Sequence, residues 1–149
     1  MSLLYSLSIY LYSILIRLAT IFNPQARAFI KGRKKQFKRM RKTVGQRDEI
    51  IWFHCASLGE FEQGRPVIEA FRKTFPHYKI LLTFFSPSGY ELRKDYPLAD
   101  YIFYLPMDKK RNVNQFMDIF HPQLAIFIKY EFWFNYLEGL NKNKIPVFL

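Results

Sequence analysis

From Glu49 to the end of the chain, short apolar runs alternate with amphipathic stretches. The apolar runs lie at 49–57, 79–85, 100–106, 123–130 and 145–149, and the amphipathic stretches lie at 61–75, 86–96, 109–120 and 132–142. Continuous apolar runs are typical of strands that are buried on both faces, and their alternation with helices is typical of a parallel sheet covered by helices. The sequence therefore predicts an α/β fold with a doubly wound parallel sheet over residues 49–149.

Composition limits the chemistry that such a domain can perform. The chain has 149 residues, half of them hydrophobic and 19% aromatic, so it can bury a core and is not globally disordered. Its one cysteine, Cys55, excludes an internal disulfide framework and a four-cysteine zinc site. The sequence contains neither a Gly-x-Gly-x-x-Gly motif nor a phosphate-binding loop of the Walker type, and it shows no metal-ligand cluster. We therefore expect no metal and no resident cofactor.

An apolar segment precedes this domain. Residues 3–22, LLYSLSIYLYSILIRLATIF, contain one charged side chain, Arg17. About twenty helical residues span roughly 30 Å, the thickness of a bilayer core. We predict a single membrane-anchor helix over residues 1–22. It could span the bilayer, or it could lie in the interface, because its polar residues share one helical face (Ser6, Ser13, Arg17 and Thr20). A cleaved signal peptide is disfavoured because no Lys or Arg stands in front of the segment. The remaining alternative is a buried helix of a soluble protein.

The net charge of +11 is concentrated directly behind this helix. Ten of the 23 Lys and Arg residues lie within residues 23–50, against Asp48 and Glu49 alone. We predict a basic juxtamembrane segment over residues 23–48 that contacts an anionic membrane surface. Basic residues that follow an anchor keep the next domain in the cytoplasm. Nucleic acid is not predicted as a partner, because only Phe29 and Phe37 interrupt the basic segment.

Candidate functional residues follow the predicted strands, because ligands of doubly wound sheets bind beyond the carboxyl ends of the strands. The candidates are Ser57, Gly59 and Glu60 after the first strand, Ser86, Ser88 and Gly89 after the second, and Glu131 after the fourth. Glu60 is either a general base or a first-turn acid that stabilises its own helix. Glu131 has the same two interpretations.

The remaining candidates also have a structural alternative. Gly59 is expected to permit a tight turn. Ser86, Ser88 and Gly89 form either an N-cap and turn or a cradle for an anionic group. His54 lies inside an apolar strand and is predicted to be a hydrogen-bonded core residue.

Four motifs in order resemble the 3-deoxy-D-manno-octulosonic acid (Kdo) transferases. They are WFHCASLGE (52–60), TFFSPSG (83–89), YLPMD (104–108) and YEFWFN (130–135). The family pattern has threonines where Ser86 and Ser88 stand, commonly an acidic residue where Lys129 stands, and a proline where Phe134 stands. The resemblance covers residues 52–149, and the N-terminal apolar and basic segments are similar as well.

The resemblance implies the N-terminal, Rossmann-like acceptor domain of a GT-B glycosyltransferase. It implies transfer of Kdo from CMP-Kdo to the lipid A precursor of lipopolysaccharide at the inner membrane, with inversion and without a metal. Glu60 would be the general base, and Glu131 would orient the acceptor or support that base. Residues 57, 59, 86, 88 and 89 would contact the substrate.

The apolar strand at 145–149 ends the chain without a polar tail, so we expect a CMP-Kdo-binding domain to be missing from it. Two alternatives remain open. The chain could be a non-catalytic, membrane-bound module that binds the acceptor or another partner, or part of a GT-B transferase that acts on another membrane glycolipid.

Overall fold

The computed structural model describes residues 2–129 and 131–149, which form seven helices and five strands. The helices are α1 (Ser2–Ala19), α2 (Pro24–Arg33), α3 (Gln36–Thr43), α4 (Leu58–Thr74), α5 (Pro87–Arg93), α6 (Lys110–Phe120) and α7 (Phe134–Lys142). The strands are β1 (Ile50–Cys55), β2 (Lys79–Phe84), β3 (Tyr101–Tyr104), β4 (Leu124–Phe127) and β5 (Val147–Phe148). Every strand and helix predicted from residue 49 onward is present close to its predicted position.

The five strands form one parallel sheet in the order β3-β2-β1-β4-β5. The chain proceeds outward from β1 through β2 to β3, then returns to the other side of β1 for β4 and β5. The direction of winding therefore reverses between β1 and β4. In open α/β sheets, the crevice at the carboxyl ends of the two strands flanking this reversal is where ligands bind.

Alternate residues of β1 supply two separate cores, one on each face of the sheet. Ile50 and Trp52 pack with residues of α3, α6 and α7, whereas Ile51 and Phe53 pack with residues of α4. All six residues of β1 are buried. The period of two follows from the pleat of the strand, and burial on both faces explains why β1 is almost entirely apolar.

The basic segment forms helices α2 and α3, which we did not predict because its charge obscures a sparse apolar pattern. A local signal was available: the Asn23 side chain accepts hydrogen bonds from the backbone N–H groups of Gln25 and Ala26 at 2.8 and 3.2 Å, and Pro24 occupies the first helical position. Met40 of α3 is completely buried in the sheet core. The basic segment is therefore also part of the packing of the sheet domain.

Arg33 fastens α2 to the carboxyl ends of two strands. Its guanidinium donates to the carbonyl oxygens of Leu105 at 3.0 Å and Phe85 at 2.6 Å, and it lies 3.6 Å from the centre of the Phe29 ring. Two residues later the backbone of Lys35 is left-handed, with a φ of 55°, and turns the chain from α2 into α3. The bend between α2 and α3 therefore lies two residues after the residue that attaches α2 to the sheet.

Helix α1 packs on the rest of the molecule through a face of mixed polarity and leaves most of its large apolar side chains exposed. Ile9 and Ser13 are buried, whereas Leu7, Leu11 and Leu18 are more than half exposed. Within the described residues, no single helix is long and apolar enough to cross a membrane, although the pair Leu4–Ala19 and Pro24–Arg33, bent by 119°, reaches the required length and composition together. The membrane anchor remains a prediction.

Candidate functional site

The crevice between the carboxyl ends of β1 and β4 brings together the residues predicted from the sequence. The turn after β1 contains Ser57, Gly59 and Glu60, the turn after β2 contains Ser86 and Ser88, and Glu131 follows β4. Strand β1 pairs with both β2 and β4, so all three turns lie at one edge of the sheet.

Glu60 stabilises the start of its own helix with one carboxylate oxygen. Its Oε2 accepts hydrogen bonds from the Ser57 backbone N–H at 2.5 Å and from the Ser57 hydroxyl at 2.9 Å. This is the carboxylate half of a capping box. Within the described residues Oε1 has no hydrogen-bond partner, and the side chain is half-buried. Both interpretations of Glu60 are compatible with this geometry, because one oxygen holds the helix while the other remains available.

The negative charge of Glu60 affects the pKa of Glu131. Glu131 is half-buried, and burial together with the negative charge of Glu60 raises the pKa of the Glu131 carboxyl, against a smaller opposing effect of the nearby Trp133 side chain. Two carboxylates from segments 71 residues apart in sequence therefore lie close enough for the charge of Glu60 to act on Glu131. That charge favours the protonated form of Glu131.

The two serines after β2 bond to each other rather than to the helix. Their hydroxyl oxygens lie 2.7 Å apart, and neither side chain caps α5. Because each hydroxyl has one proton, this pair still has a donor and lone pairs available for a ligand. The N-cap interpretation of Ser86 is therefore not realised by its side chain.

Of the two glycine positions in the site, only one leaves no room for a side chain. A side chain at Gly89 would collide with the Phe84 ring and would lie 3.1 Å from the carbonyl carbon of Ser57, so Gly89 lets α5 approach the turn after β1. We expected Gly59 to permit a tight turn, but its backbone conformation does not require a glycine. Gly59 has no positive φ, and a β-carbon there would meet only the Ser57 hydroxyl at 3.9 Å. The turn therefore does not need a glycine at position 59.

A chain of hydrogen bonds leads from the core to this crevice. His54, fully buried, places Nδ1 2.9 Å from the Thr83 hydroxyl and 3.1 Å from the Thr83 carbonyl oxygen. Its Nε2 lies 3.1 Å from the indole nitrogen of Trp133. The prediction of a hydrogen-bonded core histidine is confirmed, whereas the connection to Trp133 was missed. The available sequence signal was Thr83, a polar residue among the apolar residues of 80–85.

Asp108, from the third motif, lies outside the crevice. It is fully buried and accepts hydrogen bonds from the backbone N–H groups of Asn135 at 3.1 Å and Tyr136 at 3.0 Å, which begin α7. The Tyr5 hydroxyl of α1 donates to it at 2.6 Å. Asp108 therefore joins three parts of the structure and has a structural role.

Several cavities are lined by the N-terminal helices. One of about 790 Å³ lies between α1, α2 and α3, and another of about 480 Å³ is lined entirely by cations: Lys31, Lys34, Lys35, Lys38, Arg39 and Lys42. A groove of about 310 Å³ extends from Tyr12 and Ile16 of α1 to Ser86. Within the described residues, no ion pair involves α2 or α3, so these cations are uncompensated. Such a surface favours phosphate groups.

The described residues contain no group of three His, Cys, Asp or Glu side chains that could hold a metal ion. The groups that the crevice does offer are carboxylates, hydroxyls and backbone N–H groups. These can bind a polar hydroxyl-bearing ligand and accept a proton from it.

Known proteins are similar to this chain in sequence. Residues 31–149 match the family model of the 3-deoxy-D-manno-octulosonic-acid transferases. A 3-deoxy-D-manno-octulosonic acid transferase of Chlamydia muridarum is 30% identical over 123 residues, which cover 81% of this chain and 29% of that protein. One from Haemophilus influenzae is 33% identical over 98 residues, covering 64% of this chain and 23% of that protein.

A bifunctional glycosyltransferase/methyltransferase of Fusobacterium nucleatum is 28% identical over 140 residues, covering 89% of this chain and 21% of that protein. The chain thus spans less than a third of the length of these curated relatives. Because the family model covers the sheet, the crevice and most of the basic segment, this chain belongs to the 3-deoxy-D-manno-octulosonic-acid transferase family.

Proposed function

We propose that this chain is the acceptor-binding part of a GT-B glycosyltransferase that transfers Kdo from CMP-Kdo to the lipid A precursor, with Glu60 as general base. The observation that carries the proposal is the pair of carboxylates at the reversal of the sheet: Glu60 has one oxygen available, and Glu131 lies close enough for Glu60 to raise its pKa. Membership of the family supports the reaction class.

In this proposal the acceptor hydroxyl lies against the free oxygen of Glu60. The hydroxyl oxygen forms a bond to the anomeric carbon of Kdo, and its proton passes to Glu60. The bond from that carbon to the CMP phosphate breaks, and CMP leaves with the electron pair. A negative carboxylate, held by two donors and by the N-terminal end of α4, is the form that a general base needs.

The other crevice residues would bind the acceptor. Glu131 would orient the acceptor or support the base. Ser86 and Ser88 would offer their hydroxyls, and Ser57 and Gly59 would contribute backbone close to the sugar, with Gly89 holding these turns together. CMP-Kdo would be bound by a second domain across the crevice, and no metal or resident cofactor takes part in the proposed reaction.

The site would operate at the cytoplasmic face of the inner membrane. This part of the proposal rests on the exposed apolar side chains of α1 and on the uncompensated cations of α2 and α3 beside it. A helix that leaves large apolar side chains exposed is suited to lie in the bilayer interface, and the cations would meet anionic headgroups. The groove from α1 to Ser86 would connect that surface to the crevice.

The test uses the complete natural polypeptide that contains this chain, supplied with labelled CMP-Kdo and the lipid A precursor in membranes. Glu60→Gln should retain acceptor binding and lower the transfer rate by about 10²–10⁴-fold, the usual contribution of a general base. The matched control is Glu62→Gln on the same helix, whose carboxylate is paired with Arg93 at 2.6 Å and should not affect the rate.

Near-normal transfer by Glu60→Gln would remove Glu60 from the proposed role. Faster transfer to a different membrane glycolipid would replace the acceptor. Acceptor binding without any transfer by the complete polypeptide would favour the non-catalytic binding module.

A further inference from the structure

We propose that His54 is a positioning residue, whose Nε2 accepts the indole N–H of Trp133 and thereby holds the turn that presents Glu131 to the crevice. The inference rests on the proposed function, since it assigns His54 a role in presenting one of the two carboxylates.

The direction of each hydrogen bond in the series from Trp133 through His54 to Thr83 is determined by the groups involved. An indole N–H can only donate, so His54 Nε2 must accept, and the proton of the imidazole must be on Nδ1. The Nδ1–H then donates to Thr83, whose hydroxyl also accepts the indole N–H of Trp52 at 2.7 Å. Complete burial, with the charge of Arg33 nearby, lowers the pKa of His54 to about 3, so the imidazole is neutral and keeps its accepting nitrogen.

The Glu131 turn has few other attachments. Within the part of the chain that the structure describes, the backbone groups of Lys129, Glu131 and Phe132 make no hydrogen bonds. Lys129 has a left-handed backbone with a φ of 64°, and Phe132 is 61% exposed. Among the described residues that follow Ile128, Trp133 is the first whose side chain has both a hydrogen bond, to His54, and a ring contact, to Phe85 at 4.4 Å between ring centres.

A polar residue at position 54 has no packing advantage. The other five residues of β1 are apolar or cysteine, and all are buried with it. Burying a polar side chain costs free energy unless every group is paired, so an aliphatic residue would suit the core better if packing were the only requirement. An aliphatic residue could neither donate to Thr83 nor accept the Trp133 N–H, and of these two contacts the one with Trp133 reaches the crevice.

The first measurement is independent of activity. The chain contains two tryptophans, so its ¹⁵N-labelled indole groups give two NMR signals that Trp133→Phe assigns. We expect His54→Leu to shift the Trp133 indole signal and to raise its hydrogen-exchange rate at least tenfold. His54→Gln, whose amide oxygen can accept the same bond, should restore most of the protection. An unchanged Trp133 signal in His54→Leu would overturn the proposal.

The second measurement is the transfer rate of the complete polypeptide, with kcat and KM determined separately. Displacing a positioned group by about 1 Å can cost about 10²-fold in rate. We expect a fall in kcat of at least tenfold for His54→Leu and for Trp133→Phe, with partial recovery in His54→Gln. Trp133→Phe keeps the ring against Phe85 and remains informative if His54→Leu fails to fold.

Phe116→Leu is the matched control, because Phe116 is fully buried in the core that contains Trp52 and has no polar contact with the crevice. It should lower stability and leave kcat unchanged. Equal kcat values in all four variants would make His54 a core residue only and overturn the proposal. Absence of transfer in the unmodified polypeptide would instead refute the proposed function, while the NMR result would still decide the contact.

Discussion

The turn after β1 and the turn after β3 each bring a carboxylate to the N-terminal end of a helix. Asp108 is completely buried, and its two oxygens together accept three hydrogen bonds from α1 and α7. Glu60 is half-buried and uses only Oε2. Both lie in motifs on which the resemblance to the family was based, so a motif alone does not separate a structural carboxylate from one available for chemistry. The number of carboxylate oxygens that accept hydrogen bonds separates the two cases.

Removing the structural carboxylate should have the largest effect on stability. Asp108→Ala leaves two backbone N–H groups and the Tyr5 hydroxyl without their acceptor, and we expect the free energy of unfolding to fall by about 3 kcal/mol. Urea unfolding of the 149-residue chain measures this, with an unchanged m-value indicating an unchanged unfolding reaction.

Asp118→Ala is the control, since Asp118 is an exposed acid on α6 and its loss should change stability by less than about 0.5 kcal/mol. If Asp108→Ala were equally mild, the distinction between the two turns would be lost.

A substitution at Gly59, close to the crevice, should raise the stability of the chain rather than lower it. A β-carbon meets no steric barrier there, so Gly59→Ala should stabilise the chain by about 0.5–1 kcal/mol, the usual gain for replacing a helical glycine. If the bare backbone contacts the acceptor, the same variant should weaken acceptor binding to the complete polypeptide.

Gly89→Ala provides the contrast in the same two assays. Its β-carbon collides with Phe84, so it should destabilise the chain by about 1–3 kcal/mol. A Gly59→Ala chain that is more stable and binds acceptor normally would remove Gly59 from the binding site.

The smallest expected effect is the pH dependence caused by Glu131. Burial and the charge of Glu60 raise its pKa in the folded chain above the ordinary value of 4.5, so folding takes up a proton between these two values. The contribution of Glu131 to stability is therefore fully present below pH 4.5 and is lost as the pH rises through the raised pKa. Glu131→Gln should abolish this loss, and Glu60→Gln should reduce it. Unfolding free energies between about pH 4 and pH 8 test both variants. Equal pH profiles for the three chains would show that the two carboxylates do not interact.

The sheet was predictable because β1 and β2 are continuous apolar runs bounded by turn residues, which is a local property. The meeting of Glu60 with Glu131 depends on β1 lying between β2 and β4, and this strand order is not a local property. The contact of His54 with Trp133 joins residues 79 positions apart and also depends on that order. Helices α2 and α3 were missed because their few buried residues, such as Phe29 and Met40, are surrounded by cations.

Arg33 determines how α1 and α2 can move relative to the crevice. Its guanidinium is bonded to backbone oxygens that follow β2 and β3, and such oxygens are fixed by the sheet itself. Any movement of α2 relative to the crevice therefore has to break these two hydrogen bonds. While the Arg33 contacts hold, a surface that binds α1 keeps a constant distance and orientation relative to Ser86 and Glu60. The fold therefore sets the distance from that surface at which the site can bind a ligand.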